Sequence, residues 1–412
     1  MTDKTDRDLG DRAMEAVARD EVESGIKPTD ASSWRRLGAA MGRAASATGR
    51  GLSVAASATG RGLSVAASTT GRGLSVAAQV AAKNRHYVLP VLNGFVGDQL
   101  VREAPDAGGA AIQMRFREGG EDVGVADLDL GARLVGPGRR VLVVIPGLMC
   151  DEVIFQDPPG GAPDSSPEGI GDRIARERGA TVLYVRYNTG RHISENGQIL
   201  SELLGELFEA YGEAIDDLVL LGHSMGGLVI RSAGYYGRLR RRPWVDKLST
   251  VLLLGVPLRG SFVEQLANVT AFVLGRVGNL YTRMGAWIIE ERSDGIKDLR
   301  FGLMVDEDWA SRPKDERLFV TKTAVPPLPG VAYHVVGGTL ARDDGSWLSL
   351  LFGDGLIGPK SAGGDRLFRP DDPVHPCGSV RFFPGKGHLE ILASPEVGDY
   401  IVSLLPSVSS GG

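Results

Sequence analysis

Residues 217–227 read DLVLLGHSMGG, and this stretch decides the fold. Its first six residues are a short apolar run typical of a buried strand, and a helical pattern starts at Met225. Between them, Gly222 to Gly226 match G-x-S-x-G, the pattern of a sharp strand-to-helix turn that raises a serine hydroxyl above a sheet. Only small side chains fit two positions before and after that serine. The pattern predicts Ser224 as a nucleophile, with a structural glycine-rich turn as the alternative.

The same alternation of strands and helices extends over residues 110–405 and predicts a mainly parallel α/β sheet flanked by helices. AIQMRFRE and VGVADLDL are expected to form an opening antiparallel pair. Further strands are predicted at 140–145, 181–187, 217–222, 250–257, 331–338 and 379–383, and helices at 169–178, 194–214, 225–237 and 394–405. Residues 258–328 carry no strand signal, so they are expected to form a helical cap over one end of the sheet.

A serine hydroxyl needs a general base, and in this chain order the base follows the nucleophile. Three histidines qualify. His334 lies within an apolar strand and is expected to be a packed core residue, while His375 lies in a proline-rich loop. His388 lies in PGKGHLEIL, a glycine-flanked loop between the last strand and the last helix, so it is the predicted base.

The acid that orients the imidazole should follow the strand that ends near residue 338. Asp354, in the glycine-flanked segment FGDGLIGPKSA, is the predicted acid. Asp343 and Asp344 remain alternatives, and Asp365 is a more distant one.

The oxyanion hole requires two backbone N–H groups. One is expected from Met225, directly after the nucleophile, and the other from Leu148 in the loop PGLMCDE. Cys150 lies in the same loop. No basic residue adjoins it, so it is expected to be a buried structural cysteine rather than a reactive thiol.

Several of these stretches resemble the α/β-hydrolase superfamily, and within it the lipase/esterase-like group that includes inositol-deacylase-like enzymes. The resemblance covers about 110–405 and rests on VLVVIPGL, GHSMGGLV, LLGVPLRGS, GDGLIGPKSA and GHLEIL. RYNTGRHISENG and GIKDLRFG further resemble a bacterial subgroup of uncharacterised α/β hydrolases. The resemblance implies a triad of Ser224, Asp354 and His388, an oxyanion hole from Leu148 and Met225, and no metal or organic cofactor.

Two departures from the family pattern concern the site. Pro146-Gly147 replaces the usual His-Gly of the oxyanion loop. Gly255-Val256-Pro257-Leu258 replaces the usual Gly-Thr-Pro-His, which removes polar groups near the pocket.

The N-terminal third has a different character. Residues 1–30 are expected to be an acidic polar tail, and no acidic residue lies between Asp30 and Asp98. Within the Ala/Gly/Ser-rich segment 31–100, an 11-residue repeat begins at Gly49, Gly60 and Gly71. A helix would align one arginine of each repeat along a stripe. A linker or weak helix, an interfacial helix on an anionic lipid surface and a self-association element remain open for residues 31–86.

Composition narrows the functional classes. The 412 residues carry a net charge of −5, which gives no general attraction for nucleic acid. Two cysteines, Cys150 and Cys377, are too few for a disulfide-built scaffold, although they could pair.

The charged N-terminus lacks the apolar core of a signal peptide, and no apolar run is long enough to span a membrane. A cytoplasmic protein is therefore expected, with lipid-surface contact through residues 31–86 as an option. Residues 406–412 form a polar tail.

The sequence thus predicts a serine hydrolase that cleaves carboxylic esters, with acyl lipids as the expected substrates. Two alternatives remain: an acyltransferase with the same triad, and a non-catalytic lipid-surface or scaffold protein with a decayed site.

Overall fold

A computed structural model of the chain describes residues 85–103, 111–135, 138–156, 168–258, 293–310, 322–339 and 378–406. The predictions for the acidic tail, the repeats, most of the cap and the C-terminal tail lie outside these residues. Asp343, Asp344, Asp354, Asp365, His375 and Cys377 lie outside them too.

The described residues form one sheet with the strand order β2-β1-β4-β3-β5-β6-β7-β8. Strands β3 to β8 run parallel, and β1 is antiparallel to both of its neighbours. The strands are β1 Arg115–Glu118, β2 Glu121–Val123, β3 Arg140–Ile145, β4 Ala180–Arg186, β5 Asp217–His223, β6 Leu248–Leu254, β7 Ala332–Thr339 and β8 Val380–Pro384.

Ten α-helices lie within the described residues. They are α1 Arg85–Glu103, α2 Leu130–Arg133, α3 Val153–Gln156, α4 Ile170–Arg178, α5 Ile193–Tyr211, α6 Met225–Leu239, α7 Trp244–Lys247, α8 Asp294–Phe301, α9 Glu390–Ala393 and α10 Pro395–Ser403. None of these helices combines the length and apolar character that crossing a bilayer requires.

Strand β3 shows why the central strands are apolar throughout. All six of its residues are buried, because helices cover both faces of a parallel sheet. Val141, Val143 and Ile145 face one core with α5 and α6, whereas Leu142 and Val144 face a second core with α4 and α10. The predicted mainly parallel α/β sheet flanked by helices is therefore confirmed.

The opening antiparallel pair exists, but its predicted second strand is wrong. The chain reverses at Gly119-Gly120, whose φ angles of 54° and 81° fit a two-residue hairpin turn. Glu121 therefore pairs directly with Glu118, and β2 ends at Val123. Half of VGVADLDL instead belongs to helices: a short 3-10 helix, Val125–Asp127, and the first residue of α2, Leu130.

Helix α1 differs from the expectation for residues 31–100, which places them in a segment outside the sheet domain. In the structure, Val91, Phe95 and Leu100 are buried in the same core as α5 and α6. Asn188 donates from Nδ2 to the carbonyl of Gly97 at 2.9 Å. The helix contains a proline, and its glycines have low helix propensity, so the sequence alone does not predict a helix here. The packed domain therefore begins before residue 110.

The insertion between β6 and β7 is described only in part. Within its described residues lies α8, whose first turn is capped by Ser293 Oγ accepting from the N–H of Ile296 at 3.3 Å. Val325 and Leu328 are buried just before β7. That the insertion forms a cap remains a prediction.

Candidate active site

Ser224 occupies a strained turn between β5 and α6. Its φ of 51° and ψ of −122° are unusual for a residue with a side chain. Its N–H donates to the carbonyl of Leu254 in the neighbouring strand at 2.9 Å. A Cβ on Gly222 would lie 2.6 Å from the backbone nitrogen of Gly227, and one on Gly226 would lie 2.3 Å from the oxygen of Ile145. These close approaches are the physical reason for the two small residues that the elbow requires.

The loop after β3 lies against the elbow and holds the predicted oxyanion residue Leu148. A Cβ on Gly147 would lie 3.0 Å from Cβ of Ser224, so the backbone of this loop passes directly beside the nucleophile. The N–H of Cys150 donates to the carbonyl of Gly147 at 3.2 Å, which closes a tight turn. Met149 within that turn has a φ of 60°, which is strained for a residue other than glycine. Leu148 and Met225, both buried, are thus brought to the same edge of the sheet.

Two side chains from the segment after β4 support this loop. Tyr187 donates from its hydroxyl to the carbonyl of Pro146 at 2.9 Å. The N–H of Met149 donates to Oγ1 of Thr189 at 3.2 Å. The second bond satisfies a buried backbone donor at the strained position. Neither residue is among the predicted site residues, although both lie in RYNTGRHISENG.

A buried ion pair fixes the far end of the loop. Arg117 in β1 donates from Nε to Oε1 of Glu152 at 2.9 Å, and both side chains are 2% exposed. Between this pair and the turn, Cys150 is a buried free thiol. Burial, together with the charge of Asp151, raises the pKa of the Cys150 thiol to about 12. Cys150 therefore stays protonated at neutral pH, which agrees with a structural cysteine rather than a reactive thiol.

His388 lies between β8 and α9, close to the elbow. A Cβ on Gly255, whose φ is 58°, would lie 3.0 Å from Cε1 and Nδ1 of the imidazole. Gly255 directly follows Leu254, the residue that accepts the N–H of Ser224. The structure therefore brings the predicted nucleophile and the predicted base to the same edge of the sheet. Asp354 lies outside the described residues.

His334 belongs to the core, as expected. In β7 its Nδ1 lies 2.9 Å from Oγ of Ser379, which in turn lies 2.6 Å from the hydroxyl of Tyr400. Burial lowers the pKa of His334. Ser379 thus links this histidine to Tyr400 in α10.

A buried charge cluster flanks the site on the side of α5 and α8. His192 Nδ1 lies 2.9 Å from Oδ2 of Asp298, and its Nε2 lies 3.3 Å from Oδ2 of Asp294. The imidazole stacks on Trp309, with ring centroids 3.7 Å apart. Burial lowers the pKa of His192, but the hydrogen bond to Asp298 and the nearby carboxylate charges outweigh it, so the pKa is raised. Burial also raises the pKa of Asp298, so both shifts favour a proton within the pair.

This cluster extends to α1. Arg102 forms ion pairs with Asp98, at 2.6 Å, and with Asp294 in α8. Burial and the repulsion by Asp294 raise the pKa of Asp98 to about 6. RYNTGRHISENG and GIKDLRFG therefore meet in the structure, since the first contains His192 and the second contains Asp298. Their pairing could not be inferred from either stretch alone.

No group of three or more His, Cys, Asp or Glu side chains suited to a metal ion occurs in the part of the chain that the structure describes. The edge of the sheet that carries Ser224 also carries the imidazoles of His223 and His388 and the backbone N–H groups of the two turns.

No family model matches the sequence, and no curated protein matches it. Among solved structures, the chain is similar to the lipase BlEst2 from Bacillus licheniformis, at 16% identity and a TM-score of 0.38 over 66% of this chain and 93% of that one. It is also similar to the RedJ thioesterase of the prodiginine pathway in Streptomyces coelicolor, at 17% identity and a TM-score of 0.37 over 67% of this chain and 92% of that one. A third similar structure is a thermophilic esterase from Thermogutta terrifontis, at 17% identity and a TM-score of 0.34 over 65% of this chain and 90% of that one. These similarities are too distant to identify a reaction.

Proposed function

We propose that this chain is a serine hydrolase that cleaves carboxylic esters. The observation that carries the proposal is the strained backbone of Ser224, between a buried strand and a helix, with the loop of His388 beside it. Backbone strain of about 1–3 kcal/mol persists where the surrounding structure enforces it, and it clusters at active sites. A purely structural turn would not account for a buried histidine at the same edge of the sheet.

In the proposed reaction, His388 takes the proton of the Ser224 hydroxyl as the oxygen attacks the ester carbonyl. The N–H groups of Leu148 and Met225, and the N-terminus of α6, stabilise the negative charge of the tetrahedral intermediate. The alcohol leaves with the proton from His388, and an acyl-serine remains. Water then attacks the acyl group and loses a proton to His388, which passes that proton to Oγ of Ser224 as the acyl–oxygen bond breaks and the acid is released. Asp354 is the proposed acid that orients the imidazole.

The environment of the elbow supports an uncharged acyl group. Leu148, Met149 and Met225 are apolar and buried at this edge. Val256 and Leu258, which stand in the segment that departs from the family pattern, are buried apolar residues as well. These side chains make the surroundings of the elbow apolar, which favours an uncharged acyl group over a charged one there. We therefore propose acyl esters, including acyl lipids, as the substrate class.

The proposal is tested by labelling with a fluorophosphonate, which reacts covalently with an activated serine. Wild type should be labelled, while Ser224→Ala and His388→Asn should not. Two matched controls replace residues of the same types away from the reacting atoms. Ser232→Ala lies two turns further along α6, where its hydroxyl donates to the carbonyl of Met304, and His334→Asn removes the histidine of β7. Both control variants should retain labelling.

Hydrolysis of p-nitrophenyl esters of increasing chain length then ranks the acyl preference. Added alcohols distinguish water from another acceptor, because an acyltransferase would form a new ester at the expense of free acid. A folded wild-type protein that is neither labelled nor active on any ester would contradict the proposal and favour a decayed site.

A further inference from the structure

We propose that His223 is a positioning residue, whose neutral imidazole holds the backbone of His388 in place beside the nucleophile. The inference rests on the proposed function, because it assigns His388 as the base. It concerns the residue directly before Ser224, which the motif G-x-S-x-G leaves unspecified.

The contact between the two histidines is direct. His223 Nε2 lies 3.3 Å from the backbone oxygen of His388, and the ring centroids are 4.6 Å apart with an interplanar angle of 43°. Both side chains are buried. The contact bridges 165 residues of sequence, so it joins the end of β5 to the loop before α9.

The tautomer of His223 follows from its partner. A carbonyl oxygen only accepts, so Nε2 must carry the proton and donate it. Burial, reinforced by repulsion from His388, lowers the pKa of His223 well below its usual value, so the ring stays neutral and Nδ1 is unprotonated. Nδ1 has no hydrogen-bond partner among the described residues and faces Gly147, where a Cβ would lie 3.1 Å away. The ring therefore contacts the oxyanion loop on one side and the base loop on the other.

This placement gives His223 a mechanical role. Its backbone leads directly into the strained turn of Ser224, and its side chain donates to the main chain of His388 while its ring packs beside the imidazole of His388. The imidazole of His388 can thus exchange protons while its loop stays fixed. Misplacing reacting groups by about 1 Å can cost about 10²-fold in rate, so a bond that fixes nucleophile and base relative to each other matters for catalysis.

A purely space-filling role makes a different prediction. The ring of His223 also makes an edge contact with Phe155, with centroids 6.4 Å apart. If only volume mattered, any aromatic ring at this position would serve. If the donor matters, a neutral side chain with an N–H at the same reach should serve better than a ring without one.

The test compares His223→Phe, which keeps a ring and removes the donor, with His223→Gln, which keeps a neutral N–H donor of similar reach. His334→Gln is the control for replacing a buried histidine elsewhere in the sheet. The measurements are kcat and KM on a p-nitrophenyl ester, the melting temperature, and hydrogen exchange of the amides of residues 385–393.

The Phe variant should lose about 10- to 100-fold in kcat, while KM changes by less than about twofold. Its amide exchange should rise in 385–393 above that of the rest of the sheet domain. The Gln variant should recover to within about fivefold of wild-type kcat, and the control should leave both readouts unchanged. Equal kcat for Phe and wild type would overturn the proposal, as would equal losses in Phe and Gln with exchange rising throughout the domain.

The exchange measurement separates this inference from the proposed function. If wild type shows neither labelling nor hydrolysis, the proposed function fails. Local exchange in 385–393 then still decides whether His223 holds that segment: a rise confined to the Phe variant supports the contact, and no rise refutes it.

Discussion

Gly147 is the residue of the oxyanion loop at which a single methyl group tests the site most directly. In Gly147→Ala the new Cβ would lie 3.0 Å from Cβ of Ser224, and 3.1 Å and 3.3 Å from Nδ1 and O of His223. All three distances are below the 3.4 Å at which ordinary van der Waals contact begins. The loop or the elbow must therefore move by a few tenths of an ångström. That movement displaces the N–H of Leu148 from the substrate oxygen.

The expected magnitude follows from the size of this movement. Loss of a whole oxyanion donor costs about 10²–10³ in kcat, and a misplacement of about 1 Å costs about 10². A shift of a few tenths of an ångström should then lower kcat by about 5- to 20-fold, equivalent to about 1–2 kcal/mol of transition-state stabilisation. KM should change by less than about twofold, since ground-state binding does not depend on this N–H group.

Steady-state hydrolysis of a p-nitrophenyl ester measures both constants. Gly131→Ala is the matched control, because a Cβ at this position in α2 meets no atom within 4 Å. It should leave kcat unchanged. An unchanged kcat in Gly147→Ala, in a preparation where Ser224→Ala is inactive, would refute the assignment of this loop to the oxyanion hole.

Three further perturbations follow from the same contacts. Thr189→Val leaves the buried N–H of Met149 without its partner, so the free energy of unfolding measured by urea denaturation should fall by about 1–3 kcal/mol. Thr189→Ser keeps the hydroxyl acceptor and should recover most of that loss. Equal stability of the two variants would contradict this role of Thr189. Because the pKa of His192 is raised in the fold, its stabilising effect is full below about pH 6.5 and is lost as the pH rises through the folded-state pKa. His192→Gln should therefore cost more unfolding free energy at pH 6 than at pH 9, and an equal cost at both would refute the role of the pair with Asp298. Cys150, with its thiol pKa raised to about 12, should resist iodoacetamide at pH 8 in the native protein and react after unfolding; rapid native labelling would show that the thiol is accessible.

The central sheet and the elbow could be predicted because their signals are local. A buried parallel strand is a continuous apolar run, and the elbow is a short motif that fixes its own backbone. β2 was misplaced because the apolar residues after it outweighed the turn signal of Gly119-Gly120. Helix α1 was missed because its stability comes from burial of Val91, Phe95 and Leu100 against the core and not from intrinsic propensity.

The edge of the sheet that carries Ser224 shows the same division between local and distant signals. Ser224 and His388 lie in short patterns that can be recognised one at a time, whereas the groups that hold them depend on contacts between distant segments. Thr189 meets the loop after β3 across 40 residues, and His192 meets Asp298 across 106. RYNTGRHISENG was the available signal, but a sequence without the fold does not show which loop it supports.

Helix α1 determines where the N-terminal segment joins the domain. A Cβ on Gly94 would lie 2.3 Å from the side chain of Met149, and Gly97 lies against Asn188, so the helix rests on loops that follow the carboxyl ends of β3 and β4. Helix α1 therefore covers the same edge of the sheet as the Ser224 turn, not the opposite rim.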